Sequence, residues 1–254
     1  MTNRRPPPQP QQPEPPDTEA IERAVGELRR RLKQAASPRE AEAARRSLGS
    51  DVPVYGVKAA ETHRIGLELV RRLRSAPPAL SLDIADALFT TGNLEEGLVG
   101  AQVLGAMARH IGGGDFARFD KWAGALTNAQ TADGLAMSGI AKALAVKPSL
   151  AAQLTVWAKS PQPWRRRAAV SSFVPLVREG RFLTDALTVA EVVMADAHEE
   201  VQRGVGTLLL EASRMQSARV VEFLQTWKDK APRLVLQIAA TKLAPEDRSA
   251  VLGS

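Results

Sequence analysis

Two stretches of the chain bring together side chains able to do chemistry. The first is residues 157–178, WAKSPQPWRRRAAVSSFVPLVR, in which Trp164 stands directly before Arg165, Arg166 and Arg167. Consecutive helical positions point about 100° apart, so three arginines in a row cannot share one face. Some are expected to meet a phosphate-bearing surface and others neighbouring helices; the plainer reading is a solvated charge run leading into a core helix. An aromatic ring beside guanidinium groups suits a nucleic-acid backbone and its exposed bases, which makes Trp164 the aromatic expected to face a groove. The second stretch is Thr127–Asp133. Asp133 falls in or near the first turn of a helix, where free N–H groups and the positive end of the helix keep a carboxylate ionised. Facing a groove, such an anion can stabilise positive charge on a sugar as its base departs, or position a water. The plainer reading is that Asp133 caps its helix.

Other chemistries find no support. His63, His110 and His198 are scattered with no partner at i+3 or i+4, and no HExxH occurs. The chain has no cysteine, which removes disulfides and thiolate metal sites. There is no P-loop and no GxGxxG, and Gly112-Gly113-Gly114 follows a helix and reads as its terminator. No Ser/His/Asp triad is marked. Neither a metal nor a cofactor is expected.

The elements that must position these groups are helical. Aromatic residues make up 4% of the 254 positions while alanine and leucine dominate, a balance that favours helix over sheet. Residues 1–17 are Pro/Gln-rich and are expected to be a disordered tail, leaving 18–254 as one domain. A helix begins near Thr18, with Ile21, Val25, Leu28 and Leu32 on one face. Ser37-Pro38-Arg39-Glu40 predicts a second start with a capping box. Asp51–Val57 reads as an extended connector carrying the only tyrosine, Tyr55.

Beyond it the spacing predicts helices over 59–74, from 81 to about 91, from a cap at Asn93 to His110, after a cap at Asp115, and over 131–144. One helix is expected from Trp164 to Glu179, and others from Thr184, after Asp196–Glu199, after Ser217 and after Pro232. Trp157 and Trp227 stand among apolar residues and are expected in the core. About a dozen helices, many paired every 35 to 45 residues or so, is the pattern of an all-α solenoid of HEAT type, whose concave face would be basic.

The formal net charge is +6, and in the tail Arg4 and Arg5 balance Glu14 and Asp17. The excess on the folded part suits a polyanionic partner. The first residues lack an apolar signal core and no apolar run approaches the roughly 20 residues of a membrane span, so a soluble, cytoplasmic protein is expected.

The segment WAKSPQPWRRRAAVSSF at 157–173 closely resembles the hallmark of the DNA alkylation repair proteins, the AlkC/AlkD-like HEAT-repeat DNA glycosylases. In them a Trp-x-x-Ser-x-x-x-Trp-x-x-Arg-Ala-Ala pattern leads into a groove-lining helix. Tyr55-Gly56-Val57 with Arg64, Glu95-Glu96, Asp133, Ala231-Pro232-Arg233 and Ile238–Leu243 resemble further family elements in the same order, so the resemblance covers about residues 20 to 253. It implies that duplex DNA lies on the concave face and that cationic alkylated bases such as N3-methyladenine and N7-methylguanine are excised. Asp133 would stabilise the sugar cation and Arg167 would grip phosphate. The DNA-contacting set would be Trp164, Arg165, Arg166, Arg167, Trp122 and Arg203, on a monomer.

Two family tryptophans, four residues before the aspartate and in the helix after Asp196, are replaced here by Ala129 and Thr207. Removing one oriented interaction from a transition state slows a reaction by about a hundredfold or more. The sequence therefore supports two further readings, a catalytically silent solenoid that holds DNA and a HEAT-type protein scaffold.

Overall fold

The computed structural model describes residues 17–253. These are helical throughout, with no strand among them. The order is α1 (Thr18–Ala35), α2 (Pro38–Leu48), α3 (Ala59–Leu73), α4 (Pro78–Phe89), α5 (Leu94–Ala106), α6 (Phe116–Ala123), α7 (Ala129–Leu135) and α8 (Ala141–Val146). It continues with α9 (Ala151–Trp157), α10 (Pro163–Ser171), α11 (Val174–Arg178), α12 (Leu183–Val193), α13 (Glu199–Trp227), α14 (Arg233–Ala239) and α15 (Pro245–Leu252). Among the described residues no helix is long and apolar enough to cross a membrane. The expected tail, apart from Asp17, lies outside the described residues, and Asp17 itself caps α1 by accepting from the amide of Ala20.

The helices stack in two rows. In the front row α3 packs on α5, α5 on α7, α7 on α10, α10 on α13 and α13 on α14. Behind it α1 packs on α4, α4 on α6 and α9 on α12, and a core of Leu32, Ile84, Leu104, Leu135, Leu144 and Phe173 fills the space between the helices. The chain is thus a helical-repeat stack, and bonds between its successive helix pairs recur at one repeat distance. Trp122 Nε1 donates to Asp86, 36 positions upstream, at 2.7 Å, and Trp157 Nε1 donates to Asp120, 37 upstream, also at 2.7 Å. Phe89 stacks on Trp122 at 5.2 Å and Phe116 lies against Trp157 at the same distance. Each rung buries an indole while giving its N–H an anionic acceptor, which meets the requirement for burying a polar group.

The connector between α2 and α3 is clasped by the first turn of α5. Glu95, 1% exposed, accepts from three consecutive amides, Tyr55 N at 3.0 Å, Gly56 N at 2.8 Å and Val57 N at 3.0 Å. Glu96 takes Arg29 on both oxygens at 2.9 Å and the Tyr55 hydroxyl at 2.6 Å. Gly56 has φ +84°, and a Cβ there would fall 2.5 Å from the amide of Ala41, so only glycine fits. The resemblance at Tyr55-Gly56-Val57 and Glu95-Glu96 therefore marks the two halves of one clasp.

Several local expectations are corrected. Ser37 makes no side-chain cap bond, although Pro38 does stand at the first position of α2. Asp115 turns back to accept from Gly112 N at 2.8 Å instead of capping α6. The helix expected from residue 81 begins at Pro78, also with proline in its first turn. The helix expected from 164 to 179 is two, α10 and α11, with Pro175 near the start of the second. The helix after Ser217 continues α13 beyond a kink at Gln216, whose φ is −139° and ψ 56°.

Candidate active site around Asp133

Asn128 caps α7, its Oδ1 accepting from Thr131 N at 2.9 Å. Asp133 lies one turn further in, and it does not cap its helix. Its carboxylate crosses to α10, where Arg167 donates Nε to Oδ1 at 2.9 Å and Nη2 to Oδ2 at 2.7 Å. Ser171 Oγ, one turn along α10 from Arg167, donates to Oδ1 at 2.7 Å. A carboxylate offers about four acceptor positions, so these three donors leave one position open, on Oδ2. The Asp133 side chain is 28% exposed and Arg167 11%, which leaves the open position in reach of solvent.

The rotation of these groups toward each other is set by close helix packing. A Cβ on Gly97 of α5 would meet Thr131 Cγ2 at 2.6 Å, so glycine lets α7 settle against α5. After Leu135 the helix widens into one π-turn over Ala136–Ile140 before continuing as α8, a feature that concentrates at functional sites. Residues 131–144, expected as one helix, are thus continuous but not regular.

Arg167 is held from the other side by α13. Its Nη1 donates to the Glu200 carbonyl and lies 3.2 Å from the Glu200 carboxylate. Glu200 and Glu199 in turn pair with Arg203 at 3.3 and 2.5 Å. The cluster of Asp133, Glu199 and Glu200 with Arg167 and Arg203 sets three carboxylates against two guanidinium groups, an excess of one negative charge. Such an excess favours positive charge developing at its edge.

The other residues expected to meet DNA are placed differently. Arg165 pairs with Asp120 and lies 4.9 Å over the Trp157 ring, and Arg166 grips both oxygens of Asp196 at 2.6 and 2.8 Å. All three arginines of the run are engaged by carboxylates, those of Asp120 on α6, Asp133 on α7 and Asp196 in the turn before α13, and none is simply solvated. Trp164 is half-buried, with its ring edge-on to His198 at 5.2 Å. Arg203 is exposed on α13, where Thr207, one turn on, donates its hydroxyl back to the Arg203 carbonyl at 2.8 Å.

Trp122 is a correction. It is 0% exposed, stacked on Phe89 and bonded to Asp86, so no ring face is available to a base or sugar. Trp157 is a core residue as expected, while Trp227 is half-buried against the core. Ser171 and Glu200 join the site without any expectation from the sequence. Ser171 stands at i+4 from Arg167, a spacing that puts both on one helix face and is the signal that could have flagged it.

Ala129 stands one turn before Asp133, and Thr207 one turn after Arg203, so each shares a helix face with a member of the cluster. Neither offers an aromatic surface.

Helical repeats stacked in two rows, with an aspartate held by arginine and serine between consecutive front-row helices, define a helical-repeat protein with one preorganised carboxylate. Over residues 28–243 the chain matches the family described as DNA alkylation repair enzyme, and it belongs to that family. Among solved structures it is similar to a protein described as a predicted DNA alkylation repair enzyme from Enterococcus faecalis. The two share 13% identity with a TM-score of 0.71, over 83% of this chain and 97% of the other. No curated protein matches the sequence.

Proposed function

We propose that the chain holds double-stranded DNA across the face that carries Asp133 and hydrolyses the N-glycosidic bond of cationic alkylated bases, N3- and N7-alkylpurines. The observation that carries this reading is Asp133 itself, fixed by three donors, with one acceptor position open in a cluster of net negative charge. As the bond to the base lengthens, positive charge builds on the deoxyribose. A carboxylate already oriented toward it stabilises that charge without reorganising. The departing base is already cationic and leaves neutral, so no general acid is required. Arg167 acts through Asp133, and Ser171 does the same. Arg203 and Trp164 at the cluster's edge are the residues proposed to meet the DNA backbone, in a monomer acting in the cytoplasm.

The test is release of free N3-methyladenine and N7-methylguanine from methylated duplex DNA, comparing wild type with Asp133→Asn at matched folded fraction. Loss of release by about a hundredfold in the variant is expected; equal rates would remove Asp133 from the chemistry.

Ala129 and Thr207 favour a second reading, a DNA-holding protein that leaves excision to others, because they leave the deoxyribose without an aromatic clamp. It predicts wild-type binding that weakens steeply between two salt concentrations, with no base released by either protein.

A further inference from the structure

A cavity of about 330 Å³ opens between the ends of α3 and α5 and the start of α4. No residue of α7, α10 or α13 lines it, so it is separate from the Asp133 cluster. Its walls are mixed: Val70, Leu73, Val103 and Met107 give it apolar surface, and Arg74, Arg109 and His110 give it polar surface.

Three observations give this cavity a chemistry. First, no carboxylate lines it, and neither Arg74 nor Arg109 has a carboxylate partner among the described residues. Among the described residues, the one side-chain bond of the pair runs from Arg109 Nε to His110 Nε2 at 3.1 Å. Arg165, Arg166 and Arg167 are all neutralised by contrast. Second, Ser81 lines the cavity while 6% exposed, and its hydroxyl makes no hydrogen bond among the described residues. The hydroxyl oxygen itself is not sealed from solvent, so it is available to donate to a bound molecule. Third, Ser81 lies in the first turn of α4, a helix of 12 residues whose leading amides add positive potential on the same side.

We propose that this cavity is a binding site for a small amphipathic anion, a carboxylate or phosphate monoester attached to an apolar body. The anionic head would sit between Arg74, Arg109 and the Ser81 hydroxyl, and the apolar body would lie against Val70, Leu73, Val103 and Met107. Its volume falls at the lower end of the range of small-molecule sites, roughly 300–1,000 Å³. A cation would be repelled by the two exposed guanidinium groups, which have no carboxylate partner among the described residues, and a neutral head would gain no charge-assisted bond from them, so the head is an oxyanion.

The test is calorimetric titration of the full chain with phenyl phosphate and with benzoate, using benzyl alcohol and benzylamine as neutral and cationic controls. At least one of the two anions is expected to bind and both controls to fail. Arg74→Ala/Arg109→Ala, which alters two exposed side chains, should weaken the anion about tenfold or more, and Ser81→Ala about threefold. The proposal is overturned if neither anion binds, if benzyl alcohol binds as well as they do, or if the double variant binds unchanged. A DNA duplex that displaces the bound anion would also overturn it, by assigning the two arginines to the surface that holds DNA.

Discussion

Arg167 and Asp133, 34 positions apart on neighbouring helices, meet through two nearly parallel bonds of 2.9 and 2.7 Å. Glu200 backs the guanidinium from α13, so one side chain joins three front-row helices. Arg167→Met would leave the Asp133 carboxylate with Ser171 as its one remaining donor among the described residues, and Glu200 with Arg203 alone. It is expected to lower stability by about 2–4 kcal/mol. Arg203→Met, at an exposed pair, should change it by less than about 1 kcal/mol. Urea denaturation of both variants checks the contrast, and equal losses would show that Arg167 has no special structural weight.

Glu95 gives a second prediction. Glu95→Leu removes the acceptor for three amides of the connector, and the cost is expected to reach about 3 kcal/mol or more. Glu95→Gln keeps one oxygen and should lose less. Amide hydrogen exchange at residues 55–57 should accelerate in both variants. Unchanged exchange would mean the clasp is held by something else.

Tyr55 is the only tyrosine, so its phenolate can be followed alone by ultraviolet absorbance. Burial, and then its bond to the Glu96 carboxylate, push its pKa from 10.0 up to about 12. A folded-state pKa above the unfolded one contributes stability that is present below pH 10 and lost as pH rises through about 12. Native protein should therefore ionise Tyr55 later than urea-unfolded protein, and Tyr55→Phe should flatten the alkaline loss of stability. Coincident titrations of folded and unfolded chains would contradict this placement.

The two tryptophan rungs make a fourth prediction. Asp86→Ala and Asp120→Ala each strand a buried indole N–H and should each lower stability by about 1–3 kcal/mol. By NMR the first should move chiefly the Trp122 indole proton and the second that of Trp157. Indole signals insensitive to both substitutions would dissolve the rungs.

Much of this architecture is readable in the chain. Asn93 marks the start of α5 because an asparagine cap reports a local bond, and the apolar spacing of Ile65 and Leu69 sets the buried face of α3. The all-helical repeat follows from the rhythm of such starts. What escapes depends on partners one repeat away. Trp122 is expected in a groove because nothing local to it names Asp86 as a partner. Yet it stands one repeat before Trp157, which reads as core, and the shared interval is the available signal.

Asp133 and Arg167, which the structure pairs, stand out in the sequence as residue types, but the pairing of the arginine run does not. Charges adjacent in sequence diverge around a helix, and their partners Asp120, Asp196 and Glu200 lie 45, 30 and 33 positions away from the arginines they meet. The open mouth at Arg74 and Arg109 is equally hidden, since only three-dimensional packing shows which cations lack an anion.

The rungs from Trp122 to Asp86 and from Trp157 to Asp120 each fasten one helix pair to the next. Tension applied at the two ends of the chain would pass through such fastenings in series. Extension should then proceed by the release of one pair at a time, the weakest first, so that the middle of the stack can stay folded while an end is drawn away.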